Sequence, residues 1–133
     1  MSKFNKVMFS SASDHWATPK EVYEALDKEF KFNDDPCPLG GAGGLNREWG
    51  TRTFVNPPYS EIKEWVAYGF NQAKGKTVVM LIPSRTDTRW WHDYVMKAQE
   101  IRFIKGRLKF GGSKNSAPFP SAIVVFRNLG RGE

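Results

Sequence analysis

Apolar positions along this chain switch between two periods, and the switches mark out its elements. The stretch from Met1 to His15 is rich in Ser and has no apolar period, so it is expected to drape or fray. Organisation begins at Trp16. Thr18-Pro19-Lys20-Glu21 has the form of a capping box with proline at the first helical position, and Val22, Leu26 and Phe30 follow at helical spacing. This predicts a helix over 19–30. Phe32 to Asp35 reads as a short strand, stopped by Pro36-Cys37-Pro38 and by the glycine-rich run from Leu39 to Leu45. Thr53-Phe54-Val55 predicts another, ended by Asn56-Pro57-Pro58-Tyr59.

Ser60 is a suitable N-cap for a second helix with Ile62, Trp65, Val66, Phe70 and Ala73 on its apolar face, closed by Gly75. Thr77 to Ile82 is apolar without alternation, the pattern of a central strand covered on both faces. Thr88 can cap a third helix through Trp91, Tyr94, Val95 and Ala98. Adjacent residues of a helix cannot both face the core, which assigns Trp91 inward and Trp90 to a stacking or partner surface. The tail offers strands at 101–104, 108–110 and 122–126, the first two joined tightly by Lys105-Gly106-Arg107. Strands alternating with helices and ending in a strand-rich tail predict an α/β sheet with an antiparallel edge.

At 133 residues the chain is expected to be one domain, 1–133, with one core. No apolar run approaches the ~20 residues that span a bilayer, and the polar start lacks the apolar region of a secretory signal. A cytoplasmic protein without membrane contact is expected. The single cysteine, Cys37, cannot close an internal disulfide, and with His15 and His92 far from it in sequence there is no zinc cage. Against 14 Asp and Glu stand 20 Lys and Arg, a net charge of +6, and the chain carries five Trp, four Tyr and ten Phe. That combination fits a polyanion-binding surface with stacking groups, or simply a basic soluble protein.

Two glycine signals fail on inspection. Gly75-Lys76-Thr77 lacks the upstream glycine of a phosphate loop, because residue 70 is Phe, and it precedes a strand instead of following one. The Gly40 to Gly44 run has Asn46 where a dinucleotide fingerprint needs glycine, which leaves a flexible loop as the simpler description.

Asn56-Pro57-Pro58-Tyr59 is different in kind. Its prolines fix φ and remove two backbone donors, so the Asn56 amide and the Asn56 and Pro57 carbonyls are expected to stand open at a strand end. Such a set accepts hydrogen bonds from an NH₂ group. Two acceptors holding both hydrogens of a ring-conjugated amine favour its pyramidal, attacking form, and Tyr59 can stack on the ring that carries it. A rigid strand-to-helix turn would account for the same tetrapeptide. Its position at the carboxyl edge of a strand, where open α/β sheets bind ligands, favours chemistry.

Taken in order, His15-Trp16-Ala17-Thr18-Pro19, Asp35-Pro36-Cys37, Asn56-Pro57-Pro58-Tyr59-Ser60, Leu81 to Thr88, Gly106 to Phe110 and Ala117 to Ser121 resemble the phage-encoded DNA adenine-N6 methyltransferases. The resemblance runs from roughly Trp16 to Phe126. It implies a reduced Rossmann-like class I methyltransferase fold, with a mostly parallel central sheet and an antiparallel C-terminal edge. It implies S-adenosylmethionine as cofactor, double-stranded DNA as partner, and transfer of a methyl group to adenine N6 at specific sites in a bacterial host cell. Thr18 and Pro19 would line the methionine end of the cofactor, with Trp16 beside them. Asp35, Pro36 and Cys37 would form the first cofactor loop, the Asp35 carboxylate reaching the ammonium. Asn56, Pro57, Pro58 and Tyr59 would be the catalytic set, binding an adenine flipped out of the duplex. The chain departs from the family between Cys37 and Gly44-Leu45, where only 38–43 intervene, and no acidic residue lies between Asp35 and Glu48 to take ribose hydroxyls. That departure keeps a catalytically silent DNA-binding relative in view, and the same amine chemistry would also serve RNA or a protein glutamine.

Candidate DNA contacts are Arg85 and Arg89 after the central strand and Lys105, Arg107, Lys109 and Lys114 in the tail, a cluster suited to phosphate neutralisation. Each lysine could equally be part of a solvated edge that discourages aggregation. Phe119, between two prolines, is a candidate wall for the base pocket or ordinary edge packing.

Overall fold

In a computed structural model, which describes residues 16–38, 43–110 and 116–127, four strands form one sheet in the order β1-β2-β4-β3. Expectations placed on Met1 to His15, on 39–42 and on Lys114 lie outside the described residues. The strands are β1 Arg52–Val55, β2 Thr77–Pro83, β3 Glu100–Phe103 and β4 Ser121–Arg127, with helices α1 Lys20–Phe30, α2 Ile62–Gln72 and α3 Arg89–Asp93.

Only β1 and β2 are parallel, in register from Arg52 against Thr77 to Val55 against Met80, with α2 as the crossover between them. β4 runs antiparallel to β2 along its whole length and antiparallel to β3 on its other side. The expected mostly parallel sheet is therefore corrected to an open mixed one. Among the described residues one strand–helix–strand crossover joins neighbouring strands of the sheet, and a parallel pair needs one. The antiparallel strand that joins the tail to the sheet, β4, is interior, and β3 takes the edge.

Alternation along the strands sorts the core into two layers. Val55, Val78, Met80, Ile82, Ala122, Val124 and Phe126 pack with α2 and α3, while Phe54, Val79, Leu81, Ile123 and Val125 pack with Leu26 and Phe30 of α1 and with Phe110 and Ala117. Both faces of β2 and β4 are buried, as the unbroken apolar runs require.

Several local expectations change. Phe32 to Asp35 contributes one parallel bridge, Asp34 to Thr53, beside β1. Leu108 to Phe110 is not a strand: Ala117 N–H donates to the Leu108 carbonyl at 2.7 Å, and Phe110 is buried as a core plug. Ser60 does not cap α2; a 3₁₀ turn over Tyr59–Glu61 precedes the helix, and Glu61 occupies its cap position. Thr88 caps α3 as expected, accepting from Trp91 N–H at 3.2 Å. Because α3 is only five residues long, Trp90 and Trp91 both turn into the core, and the surface role expected for Trp90 is withdrawn. α2 ends at Gln72 with Ala73 as its C-cap, and Gly75, expected to close it, lies two residues further on at φ +73°, in the turn toward β2. Lys76 Nζ donates to Glu48 Oε2 and to the Trp49 carbonyl, both at 2.8 Å, a structural tie consistent with rejecting the phosphate loop.

Asp34 joins the loop before β1 to the sheet. Arg47 donates to its two oxygens at 2.8 and 2.9 Å, and Gly50 N–H donates at 2.8 Å. The Arg47 guanidinium, helped by the Gly50 N–H, holds the carboxyl below its ordinary 3.8. A depressed carboxyl contributes stability that is complete above the unfolded value and is lost as pH falls through the lower, folded value. Asp34→Asn should therefore lower the urea midpoint at pH 7, and the gap from wild type should close as pH falls below about 4. A gap constant to pH 2.5 would show that the pair contributes no pH-dependent stability.

Candidate active site

β1 and β2 are parallel, and β3, antiparallel to β4, points the same way. The ends of β1, β2 and β3 and the start of β4 thus share one edge. Asn56 follows β1 there, Ser84 follows β2 with its N–H on the Pro120 carbonyl at 2.9 Å, and Ile104 follows β3 with its N–H on the Ser121 carbonyl at 3.1 Å. This topology gathers the Asn-Pro-Pro-Tyr segment, Arg85, Lys105, Arg107 and Phe119 along one rim, with Arg89 and Lys109 a few residues beyond it in the chain. Arg85, Arg89, Lys105, Arg107 and Lys109 are all exposed. The Ser84 and Ser121 hydroxyls are buried at the same rim without a hydrogen-bond partner among the described residues.

Beside the rim opens a cavity of about 580 Å³ lined by Trp16, Ala17, Thr18, Lys20, Tyr23, Glu24, Asp27, Asp35, Cys37, Pro38, Phe54 and Asn56. Five of the expected site residues, Trp16, Thr18, Asp35, Cys37 and Asn56, meet there. Pro19 and Pro36 are buried behind its wall: Pro19 starts α1, its carbonyl accepting from Val22 and Tyr23 N–H at 3.1 Å each.

Asn56 is 4% exposed, which corrects the expectation of an open amide. Its Nδ2 donates to the Trp16 carbonyl at 2.6 Å and to Thr18 Oγ1 at 2.9 Å. A carbonyl can only accept, so this pairing fixes the amide orientation and turns Oδ1 to the other side. Thr18, expected as the helix cap, makes no cap hydrogen bond at α1 and instead locks Asn56. Pro57 is buried, and Tyr59 is half-buried with its ring edge-on to Phe119, centroids 4.8 Å apart at 86°. Phe119 in turn lies 6.1 Å from Phe110, and Phe110 lies 5.8 Å from Trp16, so ring contacts through the core connect Tyr59 to the cavity wall.

The Asp35 loop is held from behind. Cys37 N–H donates to Asp35 Oδ1 at 3.3 Å, and Gly44 packs so closely that a Cβ there would press into the Pro36 carbonyl and the Trp65 ring. Trp49 Nε1 donates to the Gly44 carbonyl at 2.7 Å, so this end of the glycine run is a packed anchor. Burial, with Asp35 and Glu61 nearby, pushes the Cys37 thiol up to about 12, which leaves it protonated and no nucleophile at neutral pH.

Sequence reasoning missed Lys20, Tyr23, Glu24 and Asp27. Their spacing of three and four places them on one face of α1, but a polar helical face ordinarily means solvent. Burial, then the charges of Asp27 and Asp35, raise the Tyr23 hydroxyl above its usual 10.0.

A family model of DNA N-6-adenine-methyltransferases (Dam) matches residues 6–130. The chain belongs to that family. The DNA N-6-adenine-methyltransferase of Haemophilus phage HP1 (strain HP1c1) is 32% identical over 138 residues, covering 87% of this chain and 80% of that protein. The activity of this Dam-family enzyme is adenine-N6 methylation of DNA. Among its described residues no helix is long and apolar enough to cross a membrane.

Proposed function

We propose that this enzyme takes its methyl group from S-adenosylmethionine held in the 580 Å³ cavity, and delivers it to an adenine flipped onto the Asn56–Tyr59 rim of the sheet. The observation that carries this reading is that Asn56 lines the cavity and also begins the rim segment. The donor set fits the cofactor. Asp35, Glu24 and Asp27 suit a cationic ligand rich in hydroxyls, and Trp16, Tyr23 and Phe54 offer apolar faces to a purine. The volume lies within the about 300–1,000 Å³ usual for such sites. When bound, S-adenosylmethionine supplies an electrophilic methyl group on a sulfonium.

Asn56 Oδ1 and the Pro57 carbonyl accept the two amine hydrogens of the adenine and aim its lone pair. Thr18 and the Trp16 carbonyl keep the Asn56 amide from rotating, so its orientation is set before substrate arrives. Tyr59, braced edge-on by Phe119, offers a face for the flipped base. Displacement at the methyl carbon then depends on in-line placement more than on a strong base. The proton released from the amine passes to solvent.

Arg85, Arg89, Lys105, Arg107 and Lys109 supply the phosphate contacts. Arg85→Ala and Arg107→Ala should weaken duplex binding similarly for all sequences and flatten its salt dependence by about one charge each. An unchanged slope would move the DNA surface elsewhere.

Transfer of a labelled methyl group to unmethylated duplex, with base analysis of the product, tests the reading as a whole. Label in N6-methyladenine supports it. Label in RNA or protein glutamine under substrate competition, or cofactor-independent DNA binding without transfer, overturns it.

A further inference from the structure

The interval after Cys37 lacks a carboxylate for ribose hydroxyls, yet the cavity is not short of acids, because α1 brings its own. We infer that the exposed face of α1 is the nucleoside subsite of this cavity: Tyr23 lies against the purine, and Glu24 and Asp27 take the vicinal diol of the ribose. The inference rests on the cofactor reading above and adds which residues hold which half.

Polarity along the helix orients the ligand. Lys20 stands in the first turn of α1, where its charge adds to the positive end of the helix dipole; its Nζ lies 3.9 Å from Glu24 Oε2, a loose exposed pair, and Asp27 follows on the same face. Lys20 and Asp27 are seven residues apart, about 10 Å of rise, enough to separate the two ends of a nucleoside joined to an amino acid. A ligand carboxylate is favoured at the Lys20 end and hydroxyl donors at the Asp27 end, where Glu24 can exchange its exposed Lys20 contact for the diol. Asn56 borders the same cavity.

Two further observations mark the face as a built surface. The Tyr23 ring is braced edge-on by Phe54, centroids 5.1 Å apart at 83°, and tilted against Phe32 at 5.7 Å, which limits its freedom before any ligand binds. Asp27 Oδ1 accepts from Phe32 N–H at 3.0 Å, so its carboxylate is oriented by the backbone that follows the helix. Carboxylates are acceptor-only and can receive both hydroxyls of a diol at once.

The test is calorimetry on the full chain with unmethylated duplex present, using S-adenosylhomocysteine and its 2′-deoxyribose analogue, neither of which reacts. Wild type should prefer the hydroxylated ligand by roughly 10- to 100-fold, as expected for hydrogen bonds to a charged group. Glu24→Gln, at an exposed position that spares the core, should erase most of that preference while leaving the deoxy analogue's affinity unchanged. Asp27→Asn should do the same, with its helix content checked by circular dichroism. Tyr23→Leu should weaken both ligands alike by about tenfold, and Tyr23→Phe should restore them. A preference that survives both carboxylate variants, or a uniform weakening by them, would overturn this subsite alone. Failure of wild type to bind S-adenosylhomocysteine would overturn the cofactor reading itself.

Discussion

Asn56→Ala is expected to lower turnover by about 100- to 1,000-fold, the usual cost of removing one oriented polar group from a transfer site. The same substitution should also cost stability, because Asn56 is buried and its amide serves two acceptors on the segment that leads into α1. Leaving the part-buried Trp16 carbonyl and Thr18 hydroxyl unmatched costs at most about 1–3 kcal/mol. Thr18→Val separates the two effects: it removes one of those acceptors but leaves Asn56 Oδ1 in place for the amine. It should reproduce part of the stability loss with a much smaller fall in turnover. Rates must be read on the folded fraction, followed by near-ultraviolet circular dichroism. Asn56→Ala turnover within a few-fold of wild type would remove Asn56 from the chemistry.

Gly44→Ala should be the most damaging alanine substitution among the described glycines. The added carbon would meet the Pro36 carbonyl and the Trp65 ring, and neither is the far end of a flexible side chain. Overpacking of this kind costs about 1–3 kcal/mol. Here it also pushes on the turn that carries Asp35 and on the Trp49 bond to the Gly44 carbonyl. Cofactor affinity should therefore fall together with the melting temperature. Gly43→Ala, next door, meets open space and bears only left-handed backbone strain at φ +84°, about 1–2 kcal/mol, so it should leave cofactor affinity near wild type. Equal effects of the two on affinity would show that the close approach at Gly44 does not support the site.

Much of this structure was legible because its elements depend on local period. Leu26 and Phe30 on α1, the face of α2 and the unbroken apolar run of β2 each follow from burial, which the order of residues records directly. What escaped depends on distant partners. Nothing local says that Ser121–Arg127 inserts between β2 and β3, since antiparallel pairing over that separation is chosen by fit. Leu108 and Phe110 alternate like a strand, yet with β4 already paired on both sides the sheet offers them no place there. Thr18 had two uses for one hydroxyl, a helix cap or a tie to Asn56, and only the folded chain shows which won. Trp90 was misjudged because the argument that adjacent residues diverge assumes a helix longer than the single turn found. In the site, the Asn-Pro-Pro-Tyr segment and the Asp35 turn were visible as motifs, whereas the face of α1 was visible only as spacing.

The place of β4 bears on how the chain is made. It leaves the ribosome after β1, β2 and β3, yet it bonds to β2 along seven residues and to β3 along four, and among the described strands it alone joins β3 to the rest of the sheet. Until it emerges, β2 and β3 each present an unsatisfied edge, and the apolar run Val78 to Ile82 has no partner on that side. Completion of the sheet thus waits for β4, and the nascent chain carries an aggregation-prone segment while residues 84–120 are made. A chain broken off before Ser121 loses both ladders at once and has no smaller sheet to fall back on beyond the single β1–β2 pair.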